Sequence, residues 1–196
     1  MFSNKDLRKL IIPLVIEQLL AVTIGMADTV MVSSCGEAAV SGISLVDSIN
    51  FLLITLFSSL ATGGAVIASQ YIGRGDHKSA SLAAKQLFYA SLALSAVLGV
   101  IAVFFRRPVL NMVFGSIEAD VMAHAQIYFL LSAISYPFLA VYNAGAALFR
   151  SMGDSRTTML ISILMNTINI VGNAILIYGF QMAAAGAAAA SLVPVQ

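Results

Sequence analysis

The stretch SINFLLITLFSSLATGGAVIASQYIG, residues 48–73, contains no charged side chain. About 20 consecutive apolar residues are enough for a helix to cross the hydrocarbon layer of a bilayer, which is roughly 30 Å thick. We therefore predict a transmembrane helix from about residue 47 to residue 72.

Apolar segments of similar character occur on both sides of this stretch. They cover, approximately, residues 10–33, 86–105, 121–149, 157–178 and 182–196. The last segment has only 15 residues before the chain stops at Gln196, which is too few for a membrane span. The sequence thus predicts an all-α, polytopic membrane helix bundle with five complete transmembrane helices and a truncated sixth. We expect the chain to be a fragment of a longer protein.

The composition supports a membrane protein and excludes several other classes. Hydrophobic residues make up 60% of the chain and charged residues only 10%, whereas a soluble domain carries about 25% charged residues. A net charge of +1 argues against a nucleic-acid partner. Cys35 is the single cysteine, so no intrachain disulfide is possible. No nucleotide loop, nucleophile with its base or metal-ligand cluster is present, which argues against an enzyme and against a bound cofactor.

The distribution of Lys and Arg predicts the orientation in the membrane. Eight of the ten basic residues fall in the amino-terminal tail, around the loop after the second span, and in the loop after the fourth span. They are Lys5, Arg8, Lys9, Arg74, Lys78, Lys85, Arg150 and Arg156. Because cytoplasmic segments carry an excess of Lys and Arg, we expect a multi-pass protein of the cytoplasmic (inner) membrane with a cytoplasmic amino terminus. A cleavable signal peptide is an alternative for the first 30 residues, but Glu17 and Gln18 interrupt its apolar stretch.

Two carboxylates in the first span are the strongest functional candidates. A carboxylate at mid-membrane costs about 2.5–3.5 kcal/mol on insertion scales. Glu17 and Asp28 are 11 residues apart, close to three helical turns, so both lie on one helix face. Glu17 is either a charge that snorkels to the headgroups or part of a substrate cavity. Asp28 is either a helix-end charge or a site for Na⁺, H⁺ or a cationic substrate.

The fifth span carries a polar stripe with the spacing of a helix face. The stripe consists of Ser162, Asn166, Asn169 and Asn173. Interhelical hydrogen bonding, worth about 0.6 kcal/mol on average in a membrane protein, is one explanation. The other is an ion-coupling site in which Asp28, Asn169 and Asn173, with Asn166 nearby, offer oxygen ligands that suit a hard cation such as Na⁺.

The fourth span contributes further candidates for a substrate cavity. Tyr136 precedes Pro137, and Asn143 follows it. Tyrosine rings can contact a lipophilic cation through their π faces, although packing or anchoring at the membrane interface explains them as well. With Glu17 and Gln18, these residues form our expected substrate cavity.

Four motifs together resemble the MATE family, the multidrug and toxic compound extrusion transporters. The first span contains Pro13, the run EQLL from Glu17 and the run MADTVMV from Met26. The second span ends in ASQYIGRGD, residues 68–76. The loop after the fourth span reads FRSMGDSRTTM, residues 149–159, and the fifth span contains NTINIVGN, residues 166–173. All five complete spans fit the family in order and spacing.

The resemblance implies a fold, an activity and a set of site residues. Family members have twelve helices in two six-helix lobes and export organic cations and drugs in exchange for Na⁺ or H⁺. The chain would be the amino-terminal lobe, with the carboxy-terminal lobe as its missing partner. Asp28 matches the ion-coupling aspartate, Asn169 and Asn173 match the polar pair that helps it, and Ser191 matches a hydroxyl of the same site. Some members have aspartate at the position of Asn173, so Asp28 would be the main titrating group here.

Three alternatives to drug export remain at this point. A flippase for lipid-linked substrates would need a strongly cationic cavity, whereas the basic residues here lie in loops. A membrane scaffold without transport activity would use the polar stripes only for helix packing. An intramembrane enzyme would need a nucleophile with its base, or a metal set, which the sequence does not show.

Overall fold

The computed structural model of the chain describes residues 4–33 and 36–173, and at some of these positions, including Asp28, Asn169 and Asn173, the backbone alone. The described part is helical, with six helices. Their bounds are α1 Asn4–Ser33, α2 Glu37–Gly73, α3 His77–Phe104, α4 Arg106–Phe114, α5 Ala119–Ser151 and α6 Ser155–Asn173. The predicted last span, residues 182–196, and the final residues of the predicted fifth span lie outside the described residues.

The helices extend beyond the apolar segments that the sequence marks out. α2 begins at Glu37, about ten residues before the predicted span, because Ile43 and Val46 in this early part are buried in the core. The nine-residue α4 was not predicted, since it is too short to cross a bilayer. Its Leu110 is fully buried, and Gly115, with a φ of 73°, ends the helix in a conformation that favours glycine.

Three of the described helices, α2, α3 and α5, are long and apolar enough to cross a membrane. α1 carries a shorter apolar stretch, Ile11–Thr23. Many large apolar side chains on the outside of the bundle are exposed, such as Phe51, Tyr89 and Phe104, each about 70% or more. Such an exterior suits a protein that has lipid as its solvent.

The centre of the bundle is built by α5, which packs against both α2 and α3. Close approach of these helices depends on small residues. A side chain at Gly42 would meet the backbone nitrogen of Ala125 and the backbone oxygen of Val121 at 2.9 Å, and one at Gly99 would meet the carbonyl of Ala133 at 3.1 Å. The seam between α2 and α5 is therefore fixed by backbone contact, as is common for small residues in membrane helices.

α1 forms a second seam, mainly with α6. A groove of about 470 Å³ lies between them. It is lined by Arg8, Ile12, Pro13, Ile16, Arg156, Met159 and Leu160. Because the early residues of both helices line the same groove, α1 and α6 start at the same end of the bundle and run in the same direction. We call this end, which also holds the loops at residues 74–76 and 152–154, the basic end.

Two aspartates at the basic end cap helices. Asp76 accepts a hydrogen bond from the backbone nitrogen of Ser79 at 3.0 Å, and Asp154 accepts one from that of Thr157 at 3.1 Å. These are N-cap contacts that satisfy free amides at a helix start. Hydrogen bonding from Ser79 lowers the pKa of Asp76 below its ordinary value of 3.8, and hydrogen bonding from Thr157 lowers the pKa of Asp154 in the same way.

Candidate functional site

Glu17 is fully enclosed between helices. Its side chain is 0% exposed, and Arg150 Nη1 lies 3.6 Å from its Oε1. Arg150 comes from the last turn of α5 and keeps 28% of its side chain exposed at the basic end. The carboxylate is thus turned into the bundle rather than toward the headgroups, where a snorkelling charge would lie.

Polar residues of α5 and α6 surround the same region. Tyr142 lies within electrostatic reach of Glu17 and close enough to Ser162 for a weak hydrogen-bonding interaction, but this contact lacks the geometry of a full hydrogen bond. Asn166 Nδ2 donates to Ser162 Oγ at 3.2 Å. Ser162 and Asn166 are both buried. We call Glu17, Tyr142, Ser162 and Asn166 the α1–α5–α6 cluster.

Several oxygen atoms of this cluster are buried without a hydrogen-bond partner. They are both carboxylate oxygens of Glu17, the hydroxyl of Tyr142 and Oδ1 of Asn166. Leaving a buried acceptor or donor unpaired costs about 1–3 kcal/mol, and more for a charged group. The cluster therefore has unused capacity to bind a polar or charged ligand.

Besides Glu17, two of the four residues expected in a substrate cavity are buried. Tyr136 is 2% exposed, and its hydroxyl donates to Asn50 Oδ1 at 2.9 Å. Asn143 is 5% exposed and donates to the carbonyl of Leu139 in its own helix at 3.0 Å. Gln18, next to the buried Glu17, is exposed.

The expected ion-coupling residues fall on the two neighbouring helices of the second seam. Asp28 lies in α1, and Asn169 and Asn173 lie in the last turns of α6. Asn166, one turn before Asn169, belongs to the α1–α5–α6 cluster through its bond to Ser162. Ser191 lies outside the described residues. Among the described residues, no group of three or more His, Cys, Asp or Glu side chains is placed to hold a metal ion.

A second polar cluster joins Tyr136 and its neighbours on α5 to α2 residues that the sequence reasoning did not single out. Tyr128 donates to Asp47 Oδ1 at 2.9 Å. Asn50, which accepts from Tyr136, also donates to Ser132 Oγ at 3.3 Å. We call these five residues the α2–α5 cluster. Asp47 and Asn50 are three residues apart, and the three α5 residues are spaced by four, so the two helical spacings together were a usable signal.

The comparisons with known proteins agree on one family. The MatE family model matches residues 13–175. An uncharacterized transporter, YisQ, from Bacillus subtilis is 34% identical over 175 residues, which cover 85% of this chain and 36% of that protein. A probable multidrug resistance protein, NorM, from Thermotoga maritima is 29% identical over 199 residues, which cover 97% of this chain and 41% of that protein.

Solved structures of similar fold are membrane transporters. A transporter of the MOP superfamily from Pyrococcus furiosus superposes with a TM-score of 0.83 at 27% identity, covering 96% of this chain and 41% of that one. An outward-facing multidrug resistance transporter of the MATE family, within the MOP superfamily, superposes with a TM-score of 0.83 at 26% identity and is covered to 42%. The chain thus spans about two fifths of the length of these relatives.

Proposed function

Because the chain belongs to the MATE family, we propose that it forms part of a secondary active transporter that exports organic cations and drugs in exchange for Na⁺ or H⁺. The observation that carries this proposal is the seam between α1 and α6. It sets the helix with the two carboxylates against the helix with the amide stripe.

The register of this seam supports a coupling site at Asp28. Glu17 of α1 lies within electrostatic reach of Tyr142, and Ser162 of α6 lies beside it, so the two residues lie at a similar height in the bundle. Asp28 follows Glu17 by 11 residues, and Asn173 follows Ser162 by 11 residues. At 1.5 Å per residue, both positions lie about 16 Å further along parallel helices. Asp28 and Asn173 are therefore proposed to be neighbours.

The proposed ion site consists of the Asp28 carboxylate with amide oxygens of Asn169 and Asn173, a set that suits Na⁺ or a shared proton. Ser191 is proposed to add a hydroxyl. Asn166 is proposed to act one turn deeper, where it meets the α1–α5–α6 cluster.

These residues would couple cation entry to drug export by alternating access. A cation entering the site neutralises Asp28 and changes how α1 packs on α6, which weakens drug binding. A ligand shifts such an equilibrium only through its different affinities for the two states. The occupied and the empty site must therefore favour different positions of α1. Gln18, exposed beside Glu17, is proposed to contact the drug.

The surroundings of the transporter follow from the same assignment. We propose that the basic end faces the cytoplasm, since cytoplasmic segments of membrane proteins are rich in Lys and Arg, and that the protein lies in the inner membrane. Its partners are the bilayer, small organic cations and a second lobe that completes the transport path.

Transport of lipid-linked anions is the less favoured function. A cavity for phosphates would need basic side chains within the bundle. Among the described residues, Arg150 is the basic side chain that pairs with a buried acid, so its charge is already balanced. Arg8 and Arg156 lie on the outer groove of the second seam.

Efflux measurements in cells test the coupling proposal. The chain in its full-length context is expressed in a drug-sensitive host, and export of a fluorescent organic cation is followed in Na⁺ and in Na⁺-free buffers of different pH. Asp28→Asn is expected to abolish the ion-dependent part of export. Asp76→Asn, which changes an exposed cap carboxylate, is the matched control and should leave export unchanged. Undiminished ion-dependent export in Asp28→Asn would overturn the proposal.

A further inference from the structure

The α1–α5–α6 cluster encloses hydrogen-bond acceptors that have no partner. Glu17 contributes two buried oxygens without a partner, and Asn166 contributes a third. Buried polar atoms in proteins are paired in the great majority of cases, and those that are not point to a bound water or ion. The side chains are 0% and 4% exposed, so bulk solvent does not satisfy them.

Arg150 balances the charge of Glu17 without satisfying its oxygens. The 3.6 Å between Nη1 and Oε1 is too long for a hydrogen bond. The guanidinium instead makes a hydrogen bond within its own helix, in which Nε donates to the carbonyl of Ala146 at 3.3 Å. Arg150 is also partly exposed, so it can move away toward the basic end.

The oxygen atoms of the cluster have the chemistry of a site for a small hard cation. They are carboxylate oxygens, a phenol oxygen, a serine hydroxyl and an amide oxygen, contributed by three helices. Hard cations prefer such all-oxygen sets and approach them more closely than 3.6 Å. We propose that the α1–α5–α6 cluster binds a small monovalent cation of the Na⁺ type, for which the guanidinium of Arg150 is a tethered competitor.

This site is separate from the one proposed at Asp28. Glu17 precedes Asp28 by 11 residues of α1, which corresponds to about 16 Å along the helix axis. The cation would reach the cluster from the basic end, where Arg150 is exposed. Its binding separates Arg150 from Glu17 and so removes the contact that ties α1 to the end of α5.

Thermal unfolding of the purified full chain in detergent tests the site. All variants carry Asp28→Asn, so that the result does not depend on the coupling site. NaCl is titrated against choline chloride at constant ionic strength, and the half-saturating Na⁺ concentration is read from the shift in Tm. Arg150→Gln is expected to lower this concentration roughly tenfold, because a competitor reduces apparent affinity by the fraction of time it holds the site.

Control variants separate binding from general effects of charge. Arg156→Gln removes a similar charge six residues further along the chain, outside the cluster, and should leave the half-saturating concentration unchanged. Glu17→Gln should abolish the Na⁺ dependence, and if that variant does not fold, Tyr142→Phe should raise the half-saturating concentration. The proposal is overturned if Arg150→Gln shows no Na⁺-specific stabilisation, which would mean that the cluster holds water only, or if the dependence survives in Glu17→Gln.

Discussion

The two polar clusters of the bundle are built from similar residues but differ in whether their side chains are hydrogen-bonded. In the α2–α5 cluster, Tyr128 bonds to Asp47 and Tyr136 bonds to Asn50 at 2.9 Å each. In the α1–α5–α6 cluster, the hydroxyl of Tyr142 and the carboxylate oxygens of Glu17 are buried without a full hydrogen bond. Both clusters use α5, the first at residues 128–136 and the second at Tyr142, nearer its carboxyl end.

The difference indicates which seam is fixed and which is free to change. A satisfied polar network, such as the part-buried α2–α5 cluster, holds one arrangement of its helices, whereas a partly satisfied one favours any partner that completes it. The first kind lies where Gly42 brings two backbones into contact. The second lies where α1 meets α6, the seam that the proposed transport cycle moves.

The largest expected effect on stability comes from a substitution that forces α2 and α5 apart. Gly42→Val places a branched side chain against backbone atoms of α5 at 2.9 Å, and we expect it to destabilise the chain by about 3 kcal/mol, the upper range for overpacking. Gly63→Val is the matched control in the same helix. Gly63 has open space around it, so its change should stay within about 0.5 kcal/mol. Unfolding in detergent with denaturant measures both, and equal effects would mean that α2 and α5 are not in close contact.

The next prediction compares the loss of stability when one tyrosine from each cluster is replaced by phenylalanine. Tyr136→Phe removes the hydroxyl that donates to Asn50 Oδ1 at 2.9 Å. Because this oxygen then lacks its donor, we expect the free energy of unfolding to fall by about 1.5 kcal/mol. Tyr142→Phe removes a hydroxyl that makes no full hydrogen bond and should be nearly neutral in Na⁺-free buffer. Both values come from the same denaturant titration. If Tyr142→Phe costs as much as Tyr136→Phe, the contrast between the clusters is wrong.

The smallest effect concerns the cap that starts α6. The pKa of Asp154 is below its ordinary value of 3.8 because Thr157 donates to it. Its charge therefore stabilises the folded helix start fully above about pH 4, and this contribution is lost as the pH falls through the lower folded value. Hydrogen exchange at the Thr157 amide should speed up over that range. Asp154→Asn, which keeps a capping oxygen without a charge, should show less of this acid effect, and equal acid sensitivity would contradict the prediction.

The helical bundle could be predicted from the sequence, because a long apolar segment in a bilayer must satisfy its backbone hydrogen bonds internally and does so as a helix. The spacing of Glu17 and Asp28 predicted only a shared helix face and left open whether Glu17 snorkels to the headgroups; in the structure Glu17 is fully buried. The short α4 was missed because its nine residues, two of them arginine, give no membrane signal.

The partners of the polar residues depend on how the helices are arranged. Arg150 looked like a loop charge, and its contact with Glu17 arises only because the end of α5 returns beside α1. Asp47 marked the edge of an apolar run, and its bond to Tyr128 joins residues 81 positions apart. Spacing within one helix cannot reveal such pairs, since they depend on the relative rotation of two helices.

Cross-linking of α1 to α6 tests the register on which the transport proposal depends. In a Cys35→Ser background, Asp28→Cys is combined either with Asn173→Cys or, as the control, with Ser162→Cys. The disulfide requires Cα atoms within about 7 Å. The account predicts that oxidation joins the first pair and leaves the second unlinked, about 16 Å apart along the helices. A cross-link in the second pair, or in neither, would contradict it.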